Sequence, residues 1–143
     1  DALRRDDKRP PFCEAVRIKV KGDAPFSTVL LYDPADTRHI TRCFVHDAVF
    51  ASMGPEQADV TGVELGNIVL NALVNALAKA FGRTAVPSVP AYFRGDLGAI
   101  ERWLGAGHGE FTVISVGFSV HRDGREAHAE MLAFLPPEFT AGK

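Results

Sequence analysis

Residues Val63–Gly82 read VELGNIVLNALVNALAKAFG. The run is apolar enough for a buried helix, yet it keeps Glu64, Asn67, Asn71 and Asn75. Place it on a helical wheel at about 100° per residue with Glu64 at zero. Asn71 then falls at about −20°, Asn75 at about +20° and Asn67 at about −60°. The four polar side chains share one narrow strip, and the apolar residues, Ile68 among them, cover nearly all the rest. A solvated face would recruit Lys, Glu and Arg. Asn competes for its own backbone, and three of them cost roughly 1–2 kcal/mol against alanine or lysine. The strip is therefore either shown to a partner or held against another buried polar group as a self-satisfied amide ladder. Gly62 and Gly66 flank Glu64, and their missing side chains would let the backbone of another protein come close.

The helix is expected to start before this run, with Pro55 at its first position, and to stop at Gly82. Thr61-Gly-Val-Glu64 fits a capping box, but a start at Pro55 puts Glu64 well inside the helix. Upstream, Val16, Ile18 and Val20 alternate with Arg17, Lys19 and Lys21, the pattern of a half-exposed strand. Gly22-Asp23 turns the chain into a more buried strand over 27–33, giving a hairpin. Asp33-Pro34 then reads as cap and first position of a helix running to about Phe44 or slightly beyond. Downstream, RTAVPSVPAYF carries Pro87 and Pro90 and is extended and irregular, part of it an edge strand. A short helix capped by Asp96 follows, with Trp103 and Leu104 as core anchors. Two strong strands flank Asp123-Gly124, a pair favoured in tight hairpin turns. Strand pairs separated by helices predict an α+β fold: a mostly antiparallel sheet packed with two longer helices and one short one.

A chain of 143 residues fits a single domain. A net charge of −2 supplies no basic surface for nucleic acid or an anionic membrane. No run of about 18 apolar residues goes uninterrupted, so no membrane span is expected. Cys13 and Cys43 are the only cysteines, with no CxxC and no histidine at ligand spacing. A reduced, cytoplasmic setting with no metal site follows. The mixed-charge start over 1–11 is expected to be a frayed tail, 12–137 a single domain and 138–143 an exit tail. The chain begins with Asp1 and not Met, as a processed chain or an excised domain does.

The long helix resembles the signature helix of the CheC/CheX/FliY group of chemotaxis phosphatases. Their motif is an acidic or seryl residue, three intervening residues, glutamate, two intervening residues, asparagine, twenty-two intervening residues and proline. Glu64, Asn67 and Pro90 stand at the last three of those positions. VLLYDPAD and the closing hairpin followed by LPP are also similar, so the resemblance runs from about Phe12 to Pro137. The sequence departs from the pattern at Val60, which occupies the acidic or seryl position; Asp59 beside it points off the strip. Glu-x-x-Asn occurs once, whereas two-site members carry a second copy.

The resemblance implies a CheC-like fold and a substrate: the aspartyl phosphate of a CheY-type response-regulator receiver. It implies Glu64 and Asn67 as the catalytic pair. Asn67 orients the attacking water, and Glu64 pairs with the receiver lysine. Asn71, Asn75 and Pro90 are expected to contact the partner. No cofactor of the protein's own is implied, since Mg²⁺ comes with the receiver. Alternatives of other classes are a non-catalytic, flagellar-switch-like module that binds a receiver, a CheD-type deamidase or a motor component, and a homodimer joined through open sheet edges or the amide strip. His39, His46, His108, His121 and His128 are scattered; His121 and His128 flank the hairpin turn and could sit near each other across the two strands, but no carboxylate or cysteine completes a site, and all five read as surface residues. The glycine-rich stretch 105–109 follows a helix and precedes a strand, the wrong order for a phosphate cradle. No GxSxG nucleophile pattern is present.

Overall fold

A computed structural model describes residues 9–44, 55–105 and 111–141, the side chains of residue 44 and residues 55–61 excepted. β1 (Phe12–Gly22) and β2 (Phe26–Tyr32) form the expected hairpin. They are followed by a 3₁₀ turn (Pro34–Asp36), α1 (Thr37–Phe44), α2 (Pro55–Phe81), β3 (Ala85–Pro87), β4 (Ala91–Asp96) and α3 (Leu97–Leu104). β5 (Thr112–Arg122), β6 (Arg125–Leu135) and α4 (Pro137–Thr140) close the chain. The sheet runs β3-β1-β2-β6-β5, every described pairing is antiparallel, and β4 joins β1 on the same side as β3. This is the α+β class read from the sequence.

The caps are those the sequence supplies. The Asp33 carboxylate accepts from Ala35 N at 2.9 Å, and Asp96 accepts from Ala99 N at 2.7 Å. The turn at Asp33 is tighter than expected, so α1 begins at Thr37 and not at Pro34. Its expected extension beyond residue 44 lies outside the described residues. Asp123 (φ 53°) and Gly124 (φ 76°) both take left-handed backbone, as the tight β5–β6 turn requires. Between β3 and β4, three residues (88–90) oppose two on β1, Ile18 and Lys19. Pro90 sits in that bulge, where its missing N–H breaks no ladder bond.

β1 is not half-exposed. Cys13, Glu14, Ala15 and Val16 are all at most 2% exposed. β1 has partners on both edges, with α2 over one face and α3 over the other. On one face Val16, Leu30 and Leu135 meet Leu70, Val74 and Leu77 of α2; on the other Cys13, Val29 and Leu132 meet Ile100 and Leu104 of α3. Glu14 is a carboxylate inside this core. Thr37 Oγ1 donates to it at 2.5 Å and Tyr92 OH at 2.8 Å, which ties α1 and β4 to the central strand.

The expected tails are shorter than read. Phe139 of α4 is fully buried and packs on Phe26 (4.7 Å between centroids) and Phe81 (5.4 Å). Arg83 donates to Phe139 O at 3.1 Å and Ala141 O at 2.7 Å. Residues 138–141 therefore belong to the domain, because one buried aromatic and one arginine fasten them. At the other end Arg9 forms a bidentate pair with Glu130, at 2.6 and 3.0 Å. Residues 1–8 lie outside the described residues.

α2 rests on the sheet through Gly66. A Cβ there would stand 2.9 Å from both Cβ and Cγ1 of Val16, and at Gly62 it would stand 2.9 Å from the Tyr32 hydroxyl. The two glycines thus serve the protein's own helix–sheet contact, and the expectation that they open a path for a partner's backbone is wrong. Both lie on the inner side of the helix, where β1 and β2 leave no room. Gly66→Ala is expected to lower the unfolding free energy by about 1–3 kcal/mol through overpacking. That loss should outweigh the helix-propensity gain of about 1 kcal/mol. Urea denaturation reads the result, and an unchanged or raised midpoint would contradict the close seat.

Candidate functional site

Once Gly62, Gly66, Leu70, Val74 and Leu77 face the sheet, the remaining side of α2 is fixed by helical geometry. Glu64 and Asn75 are exposed, and Asn67 and Asn71 are half-buried along the flank of that outer face. α2 is helical from Pro55, so Glu64 lies inside it and is not a capping residue. The Glu64 carboxylate has no hydrogen bond or ion pair among the described residues. Asn71 Nδ2 donates to Asn67 Oδ1 at 3.0 Å, which holds the Asn67 amide in one orientation. A carbonyl oxygen accepts twice, so Asn67 Oδ1 retains one lone pair for a further donor.

The self-satisfied ladder is not what forms. One link of it exists, between Asn67 and Asn71. Asn71 Oδ1 is buried with no partner among the described residues, at a cost of about 1–3 kcal/mol. Asn75 is exposed and bonded to no described residue.

Ile68 lies on the same outer face and is 66% exposed, contrary to its expected place in the apolar cover. The wheel already puts it about 40° from Glu64; a scan for polar residues passes over it because its chemistry matches the buried side. Pro90 is half-buried in the β3–β4 bulge at the sheet edge, on a different element from the strip. The side chains of Asp59 and Val60 lie outside the described residues.

Other groupings are weaker as chemistry. Among the described residues no set of three or more His, Cys, Asp and Glu side chains is arranged to hold a metal ion, and no helix is long and apolar enough to cross a membrane. On the sheet face opposite α2, Ser119 Oγ lies 2.8 Å from His128 Nδ1, and His128 Nε2 lies 3.3 Å from Glu126 Oε1. Ser119 meets His128 through the β5–β6 register, while Glu126 and His128 are two apart on β6; Glu126 also lies 3.8 Å from His121 Nδ1, so the two histidines flanking the turn do share a carboxylate. His128 is 73% exposed, so water screens these contacts and they act as surface pairs on the hairpin. His39 is buried, not at the surface; His46, His108 and residues 106–109 of the glycine-rich stretch lie outside the described residues. Cys13 donates to Pro10 O at 3.3 Å, and burial, then the Asp33 charge, push its pKa up to about 11, so it is an inert core thiol.

The architecture has a counterpart among solved structures. It matches a chain of the crystal structure of the CheX–CheY–BeF3–Mg²⁺ complex from Borrelia burgdorferi, with a TM-score of 0.54. Sequence identity is 20%, over 84% of this chain and 75% of that one. The fold is CheX-like. At this identity the likeness is one of fold. No family model and no curated protein matches the chain.

The inner and outer faces of α2 should separate cleanly in stability measurements. Leu70 is fully buried, and Leu70→Ala is expected to cost about 2–5 kcal/mol. Glu64→Ala should leave the unfolding free energy within about 0.5 kcal/mol. A loss above about 1 kcal/mol for Glu64→Ala, by chemical denaturation, would make that carboxylate a structural group.

Proposed function

We propose that this protein is a chemotaxis signalling phosphatase that removes the phosphoryl group from the aspartyl phosphate of a CheY-type receiver, working in the cytoplasm. The observation that carries this reading is the outward pair on α2: an unpartnered, exposed Glu64 and, one turn on, an Asn67 amide fixed by Asn71. The CheX-like fold supports it. The structure to which the chain is similar is a complex of CheX with CheY, BeF3 and Mg²⁺.

The chemistry asks little of such a surface. An acyl phosphate is already reactive, and phosphoryl transfer is catalysed mainly by positioning and charge stabilisation. The remaining lone pair of Asn67 Oδ1 accepts a hydrogen bond from a water and holds it in line with the phosphorus–oxygen bond to be broken. Fixing the amide through Asn71 keeps that lone pair aimed. Glu64, with no partner among the described residues, pairs with the receiver lysine and sets the docking register. Mg²⁺ belongs to the receiver and stabilises charge there. Asn71 thus acts on Asn67 and Asn75 lines the docking face, while Pro90 shapes the sheet edge.

Val60 favours a second reading, binding without turnover, because the family's acidic or seryl side chain is absent at that position. Phosphate release from a phosphorylated receiver separates the two. Asn67→Ala is expected to abolish release while preserving the fold. Glu64→Ala should weaken receiver binding and release together, by about 1–3 kcal/mol. Val60→Asp or Val60→Ser should raise the rate. Wild-type and Asn67→Ala proteins that release phosphate equally would remove Asn67 from the mechanism; tight receiver binding with no release by the wild type would establish the second reading.

A further inference from the structure

We propose that α1 and the β5–β6 hairpin end form a second site, which binds a small phosphate-type dianion. A cavity of about 300 Å³ lies there, lined by Arg38, His39, Arg42, Arg122, Asp123 and Arg125. That volume is at the lower limit of small-molecule sites, which run roughly 300–1,000 Å³. Four guanidiniums and an imidazole converge on it from two elements about 80 residues apart, with one carboxylate in the wall. The chain as a whole carries a net charge of −2, so this is a local concentration of cations on an acidic protein.

The groups are held in place. Arg122 Nη1 donates to Arg42 O at 2.5 Å. Asp123 pairs with Arg42 at 3.1 Å and stands 3.9 Å from Arg122, so it spaces those two side chains. Arg125 Nη2 donates to Ala35 O at 3.1 Å and to Asp36 at 2.8 Å, while its Nε and Nη1 have no partner among the described residues. His39 is only 7% exposed. Its Nε2 lies 3.0 Å from Arg125 O, and a carbonyl only accepts, so Nε2 carries the proton. Guanidinium forks match the oxygens of a tetrahedral dianion, and the backbone contacts of Arg122 and Arg125 already restrict the rotamers of those two. Arginine clusters are a recurring means of recognising phosphoryl groups. The shared chemistry is a dianion, carried by free phosphate or by a small phosphomonoester.

The full-length chain is titrated with inorganic phosphate and, in parallel, with phosphoserine, at constant ionic strength set with sodium chloride. Amide resonances are followed by NMR. Saturable shifts confined to α1 and residues 122–125 are expected, with the Asn67 and Asn71 carboxamides unmoved. Tighter binding of phosphoserine identifies a monoester as the ligand, and equal or weaker binding identifies free phosphate. In the Arg38→Gln, Arg125→Gln double variant the dissociation constant should rise at least tenfold. If that variant loses its cooperative thermal transition, Arg38→Gln alone carries the test, with at least a threefold rise. No saturable shift with either ligand, or an unchanged constant in the folded variant, would overturn the proposal.

Discussion

The contact between α2 and β1 at Gly66 and Val16 governs what the rest of the surface can do. With no Cβ at that point the helix lies directly on the sheet, and its rotation about its own axis is set. Leu70 and Val74 then fall into the core, each fully buried; burial of such side chains stabilises by about 1.5–3 kcal/mol apiece. The same rotation turns Glu64, Ile68 and Asn75 outward and leaves Asn67 and Asn71 on the flank. A bulkier residue at 66 would lift or roll the helix, and a roll of one residue's angle would carry Asn67 away from its present aim.

The face so produced is chemically spare: one free carboxylate, one oriented amide, one unmet amide oxygen and an exposed isoleucine. The domain's apolar layers and the Glu14 hub joining β1, β4 and α1 lie elsewhere. Polar groups turned outward on a rigid helix are suited to act on another molecule that brings its own reactive bond.

Much of the fold was legible in the sequence because the signals were local. The period-two run in β1, Asp96 as a cap, the Asp123-Gly124 turn and Gly82 as a stop each fix a short stretch of backbone. The helix wheel alone gathers Glu64, Asn67, Asn71 and Asn75, since i, i+3 and i+4 spacing is a property of the chain itself. What escaped depends on tertiary contacts. Burial of Glu14 needs Thr37 and Tyr92 from other elements. The docking of Phe139 needs Phe26 and Phe81. The direction faced by Gly62 and Gly66 needs the sheet beneath them, and without it their small size was assigned to a partner. Ser119 meets His128 only through strand register, and the arginine cavity forms only through the packing of α1 on the closing hairpin.

The most direct test of the proposed docking face is the environment of the α2 carboxamides when a receiver binds. The side-chain amide resonances of Asn67, Asn71 and Asn75 can be followed in ¹⁵N-labelled protein as a BeF3- and Mg²⁺-loaded CheY-type receiver is added. Shifts that saturate for Asn67 and Asn71, together with the Ile68 methyls, are the expected result. A receiver that binds while these resonances stay still, shifting β5 or the arginine cavity instead, would contradict the account.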